Sequence, residues 1–86
     1  MKKIRFDSEN YNWDRDEKKN MFFVKCTANL IKETLECRRY LYLNQVYECF
    51  GVKWNPDEEN VCYRDPDAFF IDFAMDDEGI IEIMVG

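Results

Sequence analysis

The sequence predicts an α+β domain: one long and one short helix packed on a small antiparallel sheet that ends in a C-terminal β-hairpin. Three observations predict it. Lys3-Ile4-Arg5-Phe6 alternates polar and apolar residues, and two largely apolar runs follow much later, over 68–74 and 80–85. Between them, apolar residues recur at three- and four-residue steps. A glycine, Gly79, falls where the two C-terminal runs meet. Period two marks a half-buried strand and a period near 3.6 marks an amphipathic helix. Strands gathered at the chain ends with helices between them give α+β rather than a parallel α/β arrangement.

In chain order, Lys3 to Phe6 forms the first strand, and the polar stretch from Asp7 to Trp13 is a connection. From about Asn20 a helix begins. Phe23, Val24, Thr27, Ala28, Leu30, Ile31, Thr34 and Leu35 make its apolar side, with Lys25, Asn29, Lys32, Glu33 and Glu36 opposite. Asp14, Asp16, Glu17 and Asn20 near its start and Arg38 and Arg39 at its end suit the helix dipole. Residues 40–43 alternate like a strand and run into Asn44, whose side chain is a good N-cap for a second, two-turn helix. Gly51 fits the left-handed position that ends this helix, with Val52 folding back on Tyr47.

Asn55 to Asn60 and Asp65-Pro66-Asp67 are loop signals bracketing a short strand at Val61-Cys62-Tyr63. The hairpin comes last. A loop of Asp77-Glu78-Gly79, with Gly79 left-handed, sets Asp76 opposite Ile80, Phe73 opposite Ile83 and Ile71 opposite Val85. The same register puts Asp72 opposite Met84 and Glu82 opposite Ala74. A slip by one pair would stack Asp72 on Glu82, and like charges across a ladder destabilise it. The reverse face of this hairpin is apolar at Phe70, Ile80 and Met84, so it requires cover from a helix, from the first strand or from another molecule.

Length bounds the rest: 86 residues make a single domain, residues 1–86, with one modest core. The basic start runs into alternating charge, so no export signal is expected, and no segment reaches the roughly 18 apolar residues of a membrane span. Cys26, Cys37, Cys49 and Cys62 form no C-x-x-C pair, and there is no histidine. The expectation is therefore free thiols serving as small hydrophobes, with no metal and no cofactor.

Charge is the informative feature. Residues 1–55 carry 11 Lys and Arg against 8 Asp and Glu, whereas residues 56–86 carry Arg64 alone against 10 acids. That split disfavours a nucleic-acid ligand, because phosphates require cations. It points to Asp57, Glu58, Glu59, Asp65, Asp67, Asp76, Asp77 and Glu78 as a surface for a protein with a basic groove. Catalysis is disfavoured: the carboxylate pairs lie on turns, no calcium-loop spacing is present, and no lysine comes after Lys53 to complete a nuclease set. Tyr40, Tyr42, Tyr47, Trp54 and Tyr63 have few cations near them in sequence, so packing is the expected role of those rings.

The stretch Tyr40 to Trp54, YLYLNQVYECFGVKW, with Ile71-Asp72-Phe73 after it, resembles small proteins encoded by phages and prophages of Firmicutes. Leu43, Asn44, Val46, Tyr47 and Gly51 carry the resemblance; Arg39 stands where the pattern has glycine. The resemblance implies a non-enzymatic accessory protein of the bacterial host cytoplasm. It suggests an inhibitor of a host nuclease or defence effector that mimics nucleic acid, as anti-CRISPR proteins do. The alternative is an assembly protein that forms a homodimer through the C-terminal hairpin.

Overall fold

The computed structural model describes residues 1–86 and bears out the α+β architecture. The elements are β1 (Lys2–Phe6), α1 (Glu17–Arg38), β2 (Leu41–Tyr42), α2 (Leu43–Cys49), a 3₁₀ turn (Pro56–Glu58), β3 (Cys62–Tyr63), β4 (Ile71–Met75) and β5 (Ile81–Val85). The main sheet is antiparallel in the order β1-β5-β4, and β2 pairs with β3 in a separate two-stranded ladder. The hairpin register is the one the charge argument selects: Ile71 opposite Val85, Asp72 opposite Met84, Phe73 opposite Ile83, Ala74 opposite Glu82. Asp76 donates its N–H to the Ile80 carbonyl at 2.9 Å, and Gly79 has φ 82°.

The pleat sends Ile4, Phe6, Ile71, Ile81, Ile83 and Val85 to one face, where all are buried. Val24, Ala28, Ile31 and Leu35 of α1, with Leu43, Val46 and Phe50 from α2 and its C-terminal end, complete the core. The helix begins a turn earlier than its apolar pattern, at Glu17, because Asp16 caps it by accepting the Lys18 N–H at 2.9 Å. Leu30, expected on the apolar side, is instead exposed. A three-stranded sheet is too narrow to cover that flank of the helix.

α1 ends at Arg39, which takes φ 65° and donates its N–H to Leu35. This left-handed ending is the conformation glycine adopts freely, and it explains why glycine is the expected residue there. α2 ends as expected: Gly51 has φ 76°, Val52 N–H reaches the Tyr47 carbonyl at 2.8 Å and Gly51 N–H reaches Glu48 at 3.0 Å. This is the Schellman pattern.

Asn44 differs from expectation. It is not the N-cap of α2; that position belongs to Tyr42, whose N–H is held by Gln45 at 3.0 Å. Asn44 is buried, and its amide pairs with the backbone of Asn55, donating to the carbonyl at 3.1 Å and accepting the N–H at 2.9 Å. Asn20 does the same for Asp14, with both bonds at 2.8 Å. In each case a side-chain amide supplies one rung of backbone-like pairing and ties a loop with no regular structure to a helix.

Candidate functional site

Eight carboxylates are the sequence's candidates, and the fold divides them between the two ends of the sheet. The β4–β5 turn holds Asp76, Asp77 and Glu78 at one end. At the other, Phe70 and Gly86 close the hairpin with bonds of 3.2 and 3.0 Å, and Asp65 accepts the Phe69 N–H one residue further on. Six residues of strand at about 3.4 Å each separate the two ends by about 20 Å. Asp57, Glu58 and Glu59 belong to the open end too, because Lys2 at the start of β1 pairs with Glu58. The eight therefore do not make one continuous surface.

Glu58 is removed from the binding set by its own contacts. Its side chain is only 14% exposed, Lys2 Nζ lies 2.6 Å from Oε2, and Oε1 accepts the Tyr47 hydroxyl and the Asn55 amide, both at 2.8 Å. The lysine is the sole partner of the buried Oε2. The Lys2 hydrogen bond, with that of Tyr47 second, holds the Glu58 carboxyl below its usual range, and the same pairing raises the Lys2 ammonium. Burial, aided by the bond to Glu58, pushes the Tyr47 phenol up to about 12. Glu58 is a structural hub joining β1, α2 and the 3₁₀ turn.

The turn end is different because it collects acids from the half of the sequence that reads as basic. Phe6 pairs with Ile81, so the exit from β1 lies beside the turn, and a groove of about 380 Å³ brings Asp7 and Glu9 together with Glu78, Arg5 and Trp13. The first residue of α1 arrives there as well: a Cβ on Gly79 would lie 2.8 Å from Glu17 Oε1. Gly79 therefore serves twice, for its left-handed backbone and for the room it leaves the carboxylate. Asp76 Oδ1 accepts the N–H groups of Glu78 and Ile80 at 2.8 and 3.0 Å and so braces the turn.

The result is an acidic pole of Asp7, Glu9, Glu17, Asp76, Asp77 and Glu78. Among these six, Asp7 alone is ion-paired, with Arg5 at 3.0 Å. Asp7, Glu9 and Glu17 are missing from the sequence-level candidates, since composition averages them with nearby lysines. The strand register is the signal that finds Asp7 and Glu9, because β1 antiparallel to β5 forces residues 7–9 to the turn, whereas Glu17 is placed there only by the docking of α1.

The outer face of the sheet bears Lys3 and Arg5 on β1, Glu82 and Met84 on β5, and Asp72 and Ala74 on β4. β1 lies beside the hairpin rather than over it, so neither helix nor strand covers this face. Phe70 is 45% exposed, and Ile80 and Met84 are half-buried. Lys3 pairs with Glu82 at 3.6 Å across the surface.

Cys26, Cys37 and Cys49 are exposed and Cys62 half-buried, so three of the four do not act as the core hydrophobes expected of them. No three cysteine, aspartate or glutamate side chains cluster closely enough to hold a metal ion, and no helix is long and apolar enough to cross a membrane. Comparison with protein-family models, with curated proteins and with solved structures finds no match.

Proposed function

We propose that this is a non-enzymatic binding protein that offers its acidic pole to a cationic protein surface. The gathering of six carboxylates from three separate segments, of which only Asp7 is ion-paired, supports this reading. Charges so placed raise the local negative potential and steer a basic partner toward the turn end. The groove that binds nucleic acid in a host nuclease or defence effector is a surface of the required sign. The resemblance of residues 40–54 to phage-encoded proteins supports that choice and, with it, action in the bacterial cytoplasm.

The homodimer reading draws support from the uncovered outer face. Three strands about 4.8 Å apart and about 17 Å long give a face of only about 250 Å², against about 800 Å² per partner in a stable interface. The face alone is too small, and binding at the pole is favoured.

The test is a pair of charge-reversed variants carried through affinity capture from host lysate. Glu9→Lys, Asp77→Lys and Glu78→Lys together abolish recovery of the partner, whereas Asp57→Lys, Glu59→Lys and Asp67→Lys together leave it intact. Equal recovery by both variants would contradict the pole.

A further inference from the structure

A second surface is independent of the acidic pole. Between α2 and the segment just past the 3₁₀ turn lies a groove of about 470 Å³ lined by Tyr42, Glu48, Trp54, Glu59 and Asn60. Both rings are exposed: Tyr42 is 39% exposed and Trp54 57%. The Trp54 indole N–H donates to Glu48 Oε2 at 3.3 Å, which fixes the ring relative to the carboxylate and leaves the other oxygen of Glu48 unbonded within the chain. Neither Glu48 nor Glu59 takes part in any of the ion pairs of the fold. The floor is rigid, because Asn44 beneath it clamps Asn55 by two hydrogen bonds.

We propose that this groove binds a guanidinium group, the side chain of an arginine on a partner protein. Aromatic faces attract cations, and carboxylates beside them supply the counter-charge and hydrogen-bond acceptors. A planar guanidinium uses both at once, stacking on a ring while its edge N–H groups reach the acids, which a tetrahedral ammonium does less well. The chain displays the same chemistry next door: the Arg38 guanidinium carbon sits 4.6 Å from the centre of the Tyr40 ring, and Tyr40 packs edge-on against Tyr42 at 6.2 Å. A nucleobase would meet similar rings, but its phosphates would be repelled by Glu48 and Glu59. A metal ion would find only two carboxylates, one of them already held by the indole.

The probe is N-acetyl-arginine methylamide, titrated to millimolar concentration against the ¹⁵N-labelled protein while the Trp54 indole N–H resonance is monitored. The matched control is the neutral citrulline analogue, which has nearly the same shape. The arginine compound shifts Trp54 saturably, and citrulline binds at least about tenfold more weakly. Glu48→Gln with Glu59→Gln weakens arginine about tenfold with the indole bond preserved, at roughly threefold per lost exposed pair. Trp54→Ala, monitored at Tyr42 and Asn60, weakens it at least about threefold. Asp77→Asn with Glu78→Gln leaves it unchanged, which separates this site from the pole. Equal binding of arginine and citrulline, undiminished binding to the double glutamine variant, or no response at Trp54 would each overturn the proposal.

Discussion

At the open end of the sheet Glu58 is nearly buried and touches a lysine, a tyrosine and an asparagine; at the turn end Glu78 is exposed among other acids. The two side chains are chemically identical and lie in the same acidic third of the sequence. One closes the structure, and the other is free to meet something else. The difference lies in what the fold delivers to each: β1 brings Lys2 to Glu58, but it brings Asp7 and Glu9 to Glu78. An acid count cannot distinguish a carboxylate that is already satisfied from one that is not.

The contrast is broken most severely at the hub. Glu58→Ala leaves the Tyr47 hydroxyl and the Asn55 amide without their acceptor and is expected to cost about 2–3 kcal/mol in urea unfolding. Asn44→Ala strands the backbone N–H and carbonyl of Asn55 and costs about 2 kcal/mol by the same measurement. Glu58 is held below 4.5, so its stabilisation is complete above that value and is lost as pH falls through the lower folded one. Tyr47 is raised from 10.0 to about 12, so its contribution is complete below pH 10 and is lost as pH climbs toward 12. Tyr47→Phe reduces the alkaline loss, to which the raised Tyr63, Cys49 and Lys2 also contribute, and Glu58→Gln removes the acid loss due to Glu58, as pH-dependent unfolding would show.

Smaller effects sharpen the comparison. Arg39→Gly relieves a left-handed backbone on a non-glycine residue and is expected to stabilise by up to about 1 kcal/mol, read as a rise in Tm. At the pole, Asp77→Asn with Glu78→Gln changes stability by no more than about 0.5 kcal/mol, and the sign is expected to favour the variant because like charges are removed. That near-neutrality, beside the loss of partner recovery on charge reversal, is the signature of residues kept for an interaction rather than for folding.

Much of the fold was legible in the sequence because its rules are local. Period two placed β1, the apolar runs on either side of the Gly79 turn placed β4 and β5, Gly51 and Gly79 fell at their left-handed positions, and the cost of stacking Asp72 on Glu82 chose the register. What misled was tertiary use of residues with a strong local reading. Asn44 looks like a cap from its neighbours, yet its partner is 11 residues away. Lys2 and Glu58 are 56 positions apart, so nothing near either reveals the pair. The pole was half legible: Asp76, Asp77 and Glu78 stand out in composition, whereas Asp7 and Glu9 join them only once β1 is laid antiparallel to β5, and Glu17 only once α1 docks beside Gly79.

The central claim is that the fold gathers carboxylates from three separate segments at the turn end, residues 7–9 and 17 joining 76–78. Paired NMR relaxation measurements with a cationic and an anionic nitroxide at low salt read this residue by residue. The account predicts a strong excess relaxation by the cationic probe at residues 7–9 and 17 as well as at 76–79. An excess at residues 7–9 and 17 no larger than that along the exposed face of α1 would contradict it.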